Sequence, residues 1–131
     1  MAIVVALDEK SKRSERVVNF SIEESKLRNE KLIFIHSLFG GEKTTQEEID
    51  KGEALLQWAG ELARKAGVDY ETKLLVRGKE PAEDIIEFAD EIRASLIVIG
   101  VRKRRPAGKL LFGSVAQEVI LYSSQPVICV K

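Results

Sequence analysis

One cysteine, one histidine and three prolines in 131 residues leave little material for several kinds of chemistry. Cys129 has no partner for an intrachain disulfide. With His36 as the sole histidine, the cluster of N and S ligands that a zinc centre needs is also missing. Cys129 sits in the apolar run Val127-Ile128-Cys129-Val130 and is read there as a small buried hydrophobe, not a reactive thiol. Net charge is absent too. Lys plus Arg and Asp plus Glu number 21 each, so no global field draws the chain to nucleic acid or an anionic membrane. No apolar run approaches the length that spans a bilayer. The first residues lack the basic start, apolar stretch and small-residue cleavage site of a signal peptide, so a cytoplasmic protein is expected.

What is present reads as a well-solvated globular chain, 44% apolar and 32% charged, with the length of one compact domain over residues 1–131. Five short apolar runs punctuate it: Ala2–Leu7, Leu32–Leu38, Tyr70–Val76, Leu96–Ile99 and Val127–Val130. Their brevity, β-branching and continuous apolarity suit strands buried on both faces. Tyr70–Val76 is more amphipathic and fits an edge. Four segments of helical spacing lie between the strands. Glu15–Arg28 carries an unusually polar stripe with Ser21 and Ser25. The second sets Leu55, Ala59, Leu62, Ala63 and Ala66 on one face, with Thr45 and Glu48 as a capping box and Gly67 as its stop. The third opens with Pro81 and turns Ile85, Ala89 and Ile92 inward. The fourth starts at Ser114, with Gln117 as capping-box partner, and runs to about Tyr122. Strict β-α alternation with right-handed crossovers predicts an α/β fold. The expectation is a doubly wound, open parallel five-stranded sheet of order 3-2-1-4-5, with helices on both faces.

In such a sheet a ligand sits at the carboxyl ends of the strands where winding reverses, here the first and fourth. Asp8 and Gly100 leave those ends. After Gly100 a long stretch, Val101 to Phe112, closes on Gly113-Ser114 at a helix start. It carries Arg102, Lys103, Arg104, Arg105 and Lys109, and no acidic residue intervenes before Gln117. A helix N-terminus offers free N–H groups and partial positive charge to an anion, and Gly113 lets a phosphate approach the backbone. Each feature has a plainer reading: Ser114 as a cap alone, Gly113 as a turn, the basic run as a solvated loop. Their convergence favours an anion site. It is not a P-loop: Gly108-Lys109 is followed by Leu110, Gly41-Glu42-Lys43-Thr44 lacks the spacing, and no G-x-G-x-x-G occurs.

Val98-Ile99-Gly100, the nine residues 104–112, Gly113-Ser114-Val115 and the terminal Gln125-Pro126-Val127-Ile128-Cys129-Val130 resemble the universal stress protein family. Its nucleotide-binding members carry G-x-x-G, nine residues, then G-S/T. Val4-Val5-Ala6-Leu7-Asp8, Ile35-His36-Ser37 and Gly78 before Pro81 fit as well, so the resemblance runs over nearly the whole chain. It implies a homodimer joined through the last strand and, in the ATP-binding branch, an adenine-nucleotide site. Asp8 would lie near adenine and ribose, and the Ser37 backbone would read the adenine edge. Gly100, Gly113, Ser114 and Val115 would enclose ribose and phosphates. Ala6, Leu7, Ile99, Arg102, Lys103 and Ala116 complete the implied contacts. Magnesium or manganese would accompany the triphosphate, and no residue is assigned to the metal. His36 is expected to be a structural neighbour. One departure stands out: Lys103 replaces the second motif glycine. Either a left-handed backbone there becomes costly, or the ammonium contacts the phosphates directly.

The function implied is an ATP-binding regulatory module of the stress response. The alternative is a scaffold of the same fold that binds no nucleotide. Nucleic-acid contact through Arg102–Arg105 is disfavoured by zero net charge and the lack of interleaved aromatics. The pocket holds no paired carboxylates, no Ser-His-Asp set and no base near the phosphates, so at most slow ATP hydrolysis is expected.

Overall fold

A computed structural model of the chain describes residues 1–102 and 113–131. The elements follow in the order β1 (Ala2–Ala6), α1 (Lys12–Arg28), β2 (Lys31–Leu38), α2 (Gln46–Ala66), β3 (Tyr70–Val76), α3 (Pro81–Glu91), β4 (Leu96–Gly100), α4 (Ser114–Tyr122) and β5 (Val127–Val130). The five strands form one parallel sheet in the order β3-β2-β1-β4-β5, as the alternation predicts. Each strand sends alternate side chains to opposite faces, which makes two cores. Ile3, Val5, Leu32, Phe34 and Val98 pack under α1 and α2. Val4, Ile33, Ile35, Ile97 and Ile99 pack under α3 and α4 with Ile85, Phe88 and Val119. The central strands are therefore apolar on both sides.

Helix ends follow local chemistry. Thr45 and Glu48 cap α2 reciprocally, and Gly67 closes it in the left-handed region at φ 75°. Pro81 occupies the first turn of α3. α1 begins at Lys12, three residues before the predicted Glu15, because Ser11 and Ser14 cap each other. Serine in the place of the usual Glu or Gln hides that box from a sequence reading. The polar stripe of α1 is satisfied internally: Ser21 Oγ donates to the Val17 carbonyl (2.8 Å) and Ser25 Oγ to the Glu30 carbonyl (2.5 Å).

Two expectations need correction. Ser114 does not cap α4: Gly113 is the N-cap, Ser114 is the first helical residue, and among the described residues no side chain caps the helix. Cys129 is exposed and not buried, because β5 is an edge strand and its residues are covered incompletely. Among the described residues no helix is long and apolar enough to cross a membrane.

Candidate functional site at the sheet reversal

β1 and β4 are neighbours in the sheet, and their connections leave in opposite directions. Above their carboxyl ends lies a cavity of about 630 Å³. Ala6, Leu7 and Asp8 enter it from β1, Ser37 from β2, Ile99, Gly100 and Arg102 from β4, and Gly113, Ser114, Val115 and Ala116 from the start of α4. Every candidate contact read from the sequence thus lines one cavity, except Lys103, which lies outside the described residues with Arg104, Arg105 and Lys109.

The start of α4 is built to receive an anion. The first bond within the helix runs from Gln117 N–H to the Gly113 carbonyl, so the N–H groups of Ser114, Val115 and Ala116 have no acceptor inside the helix. Free of capping duty, the Ser114 hydroxyl makes no hydrogen bond among the described residues. These donors and the positive end of the helix face the same cavity.

The opposite end suits a flat polar group. Ile35 accepts from Leu7 N–H (2.9 Å), so its carbonyl points toward β1. Ser37, two residues on, turns its N–H and carbonyl to the same side, past the end of β1. Its hydroxyl is committed elsewhere, donating to Asp84 Oδ2 (2.7 Å). Asp84 is fully buried and also accepts from Arg77 Nε (2.6 Å), which reaches on to Glu91 (2.8 Å). That chain ties the Ser37 hydroxyl to α3, while Ser37 remains one of the residues that line the cavity. Ile35, Ile85 and Val101 supply apolar wall. His36 Nδ1 donates to the Leu7 carbonyl (2.7 Å), and His36 also lines the cavity.

Gly100 has a different geometric reason from the one its position suggests. A Cβ there would lie 3.1 Å from Val17 Cγ2 and 3.3 Å from Arg13 Cδ and Nε. The glycine makes room for α1, and in particular for Arg13, whose side chain lines the cavity and was not among the residues read from the sequence. Only the true start of α1, set by the Ser11 cap, would have placed Arg13 in the first turn beside β4. Asp8 Oδ2 lies 3.4 Å from Arg13, and Glu9 pairs with Arg102 at 3.3 Å.

A sequence model of the universal stress protein family matches residues 1–131. The chain belongs to this family. A universal stress protein from Mycolicibacterium smegmatis is 36% identical over 119 residues, 87% of this chain and 85% of that protein. A solved universal stress protein from Archaeoglobus fulgidus superposes with a TM-score of 0.95 at 54% identity, covering 100% of this chain and 98% of that one. A structure of the universal stress protein from Archaeoglobus fulgidus in complex with dAMP matches at 50% identity and a TM-score of 0.90, covering 100% and 98%. Similarity to these universal stress proteins extends across the strands and helix start that line the cavity.

Proposed function

We propose that the cavity at the sheet reversal is an adenine-nucleotide site, and that the chain is a dimeric, cytoplasmic regulatory module that responds to ATP or a related nucleotide under stress. The convergence of the β1, β2 and β4 ends on the start of α4, whose first three N–H groups have no acceptor inside the helix, supports this reading above all. The dAMP held by a relative of 50% identity supports it independently.

In this reading the base lies against Ile35, Ile85 and Val101, with the Ser37 backbone offering one donor and one acceptor to its edge. Asp8 is placed for the ribose, and the phosphates run to Gly113, Ser114 and the free N–H groups of α4. Among the described residues no group of three or more His, Cys, Asp or Glu side chains gathers to hold a metal. A divalent ion would then arrive on the phosphate oxygens of ATP and neutralise their charge, without a protein cage of its own. The role proposed is binding and signalling rather than rapid turnover.

Thermal melting with AMP and with magnesium-ATP tests the reading. A ligand at about a hundred times its Kd adds about 2.7 kcal/mol of stability, a shift of several degrees. Gly113→Val should remove the shift by filling the approach to the helix end. Among the described residues a Cβ at Gly113 meets nothing within 4 Å, and the residue has φ −64°, so the variant should still fold, with a cap about 1 kcal/mol weaker. Absence of any shift in the natural protein would favour the scaffold alternative.

A further inference from the structure

Of the two described cations that line this cavity, Arg13 and Arg102, Arg13 is the less completely paired for its burial. Its side chain is 16% exposed, and its stem lies across Gly100. Among the described residues the guanidinium touches one acceptor, Asp8 Oδ2, at 3.4 Å. That is well beyond the distance of about 2.8 Å expected for a charge-assisted bond. Its remaining N–H groups have no protein acceptor among the described residues. A guanidinium withdrawn this far from water is costly unless its fork is filled. Asp8 is a poor permanent partner: its side chain is 70% exposed, and its other oxygen already accepts from Glu9 N–H (2.8 Å). Arg102 makes the contrast. It pairs with Glu9 at the cavity mouth, but its side chain is 49% exposed and water can complete its hydrogen bonds.

We propose that Arg13 is a phosphate receptor of this pocket and sets its preference for a nucleotide over the corresponding nucleoside. The proposal rests on the adenine-nucleotide reading and deepens it. Asp8 is the placeholder, and a phosphate entering the cavity offers the planar fork two oxygens in place of one distant carboxylate oxygen. Arg13 comes from the α1 face of the sheet and the free N–H groups of α4 from the other, so the phosphate is gripped from both sides. Gly100 belongs to the device, because any side chain there would displace the Arg13 stem.

Isothermal titration calorimetry with adenosine, AMP and magnesium-ATP, on the natural chain, Arg13→Gln and Arg13→Lys, tests this. The natural chain should bind AMP more tightly than adenosine. Arg13→Gln should weaken AMP by about tenfold to a hundredfold, with adenosine within about twofold. Arg13→Lys, which keeps charge but loses the fork, should fall between them for AMP. Equal loss of adenosine and AMP in Arg13→Gln would make the residue a packing element, and undiminished AMP binding would likewise overturn the proposal. A natural chain that binds adenosine and AMP equally would overturn it while leaving the adenine site standing. One that binds neither would remove both. Melting of each variant without ligand shows whether the fold is retained.

Discussion

Asp84 shows how one residue joins stability to the site. It is a formal charge with no exposed surface, in the first turn of α3. The helix start favours an anion there, and the carboxylate is filled by Arg77 Nε and the Ser37 hydroxyl. Arg77 is locked in turn by Glu91 and lies over the Phe88 ring at 5.8 Å. Removing one member of a buried pair costs more than the pair contributes, because the survivor keeps its desolvation penalty. Arg77 retains Glu91 and some water, which places the cost at the low end of the roughly 3–5 kcal/mol typical of a broken buried pair. Asp84→Ala should therefore lose about 3 kcal/mol in urea denaturation. Asp84→Asn keeps an acceptor for Ser37 and should lose less. Equal stability of Asp84→Ala and the natural chain would show that the network holds nothing. No pattern along the chain announces it, since Arg77, Asp84 and Ser37 meet only after β2, β3 and α3 have assembled.

At the scale of elements, α2 rests so closely on β2 and β3 that a Cβ at either of two glycines would press on a strand side chain. A Cβ at Gly52 would lie 2.8 Å from His36 Cδ2 and 3.0 Å from Leu74 Cδ1. At Gly60 it would lie 2.8 Å from Tyr70 Cε2. Helix propensity alone would make either alanine a gain of about 1 kcal/mol. The neighbours decide the sign. His36 is tethered through Nδ1 to the Leu7 carbonyl and cannot give way without breaking that bond, whereas Tyr70 is a half-buried ring near the sheet edge that can swing. Gly52→Ala should destabilise by about 1–2 kcal/mol and Gly60→Ala should be near neutral, measured by chemical denaturation. A stabilised Gly52→Ala would refute this account of the packing. The periodicity of Leu55, Ala59 and Ala63 made α2 legible, because a buried stripe repeats along the chain. The start of α1 was not legible, because its capping box uses Ser14 where the pattern calls for Glu or Gln. Arg13 was lost with it.

For the whole molecule, alternation and the right-handed crossover rule were enough to write the strand order, and the order located the cavity. Exposure at the last strand was a different matter: apolar residues in Val127–Val130 do not say whether a neighbour covers them. The sheet has two edges. On β3, Glu71, Thr72 and Lys73 are exposed, and Glu71 pairs with Lys31 at 2.9 Å, the kind of charge that discourages a further strand. β5 carries Val127, Ile128, Cys129 and Val130 with no charge, and Leu121 and Tyr122 at the end of the preceding helix are 68% and 70% exposed. An unguarded apolar edge beside such a helix end is where a second copy should pair, so the proposed dimer belongs at β5 and not at β3. Cys129 makes this measurable. Partial burial pushes its thiol above the ordinary value, and the thiolate is the attacking form. Alkylation should therefore be slow near neutral pH and rise as pH increases. At fixed pH, its rate should fall as protein concentration is raised through the monomer–dimer range seen by sedimentation velocity. Cys129→Lys should sediment as a monomer at concentrations where the natural chain is a dimer, since an edge lysine resists pairing. A chain that stays monomeric throughout, or whose labelling rate ignores concentration, would remove β5 as the interface and leave the nucleotide site untouched, because none of the cavity-lining residues belongs to that strand.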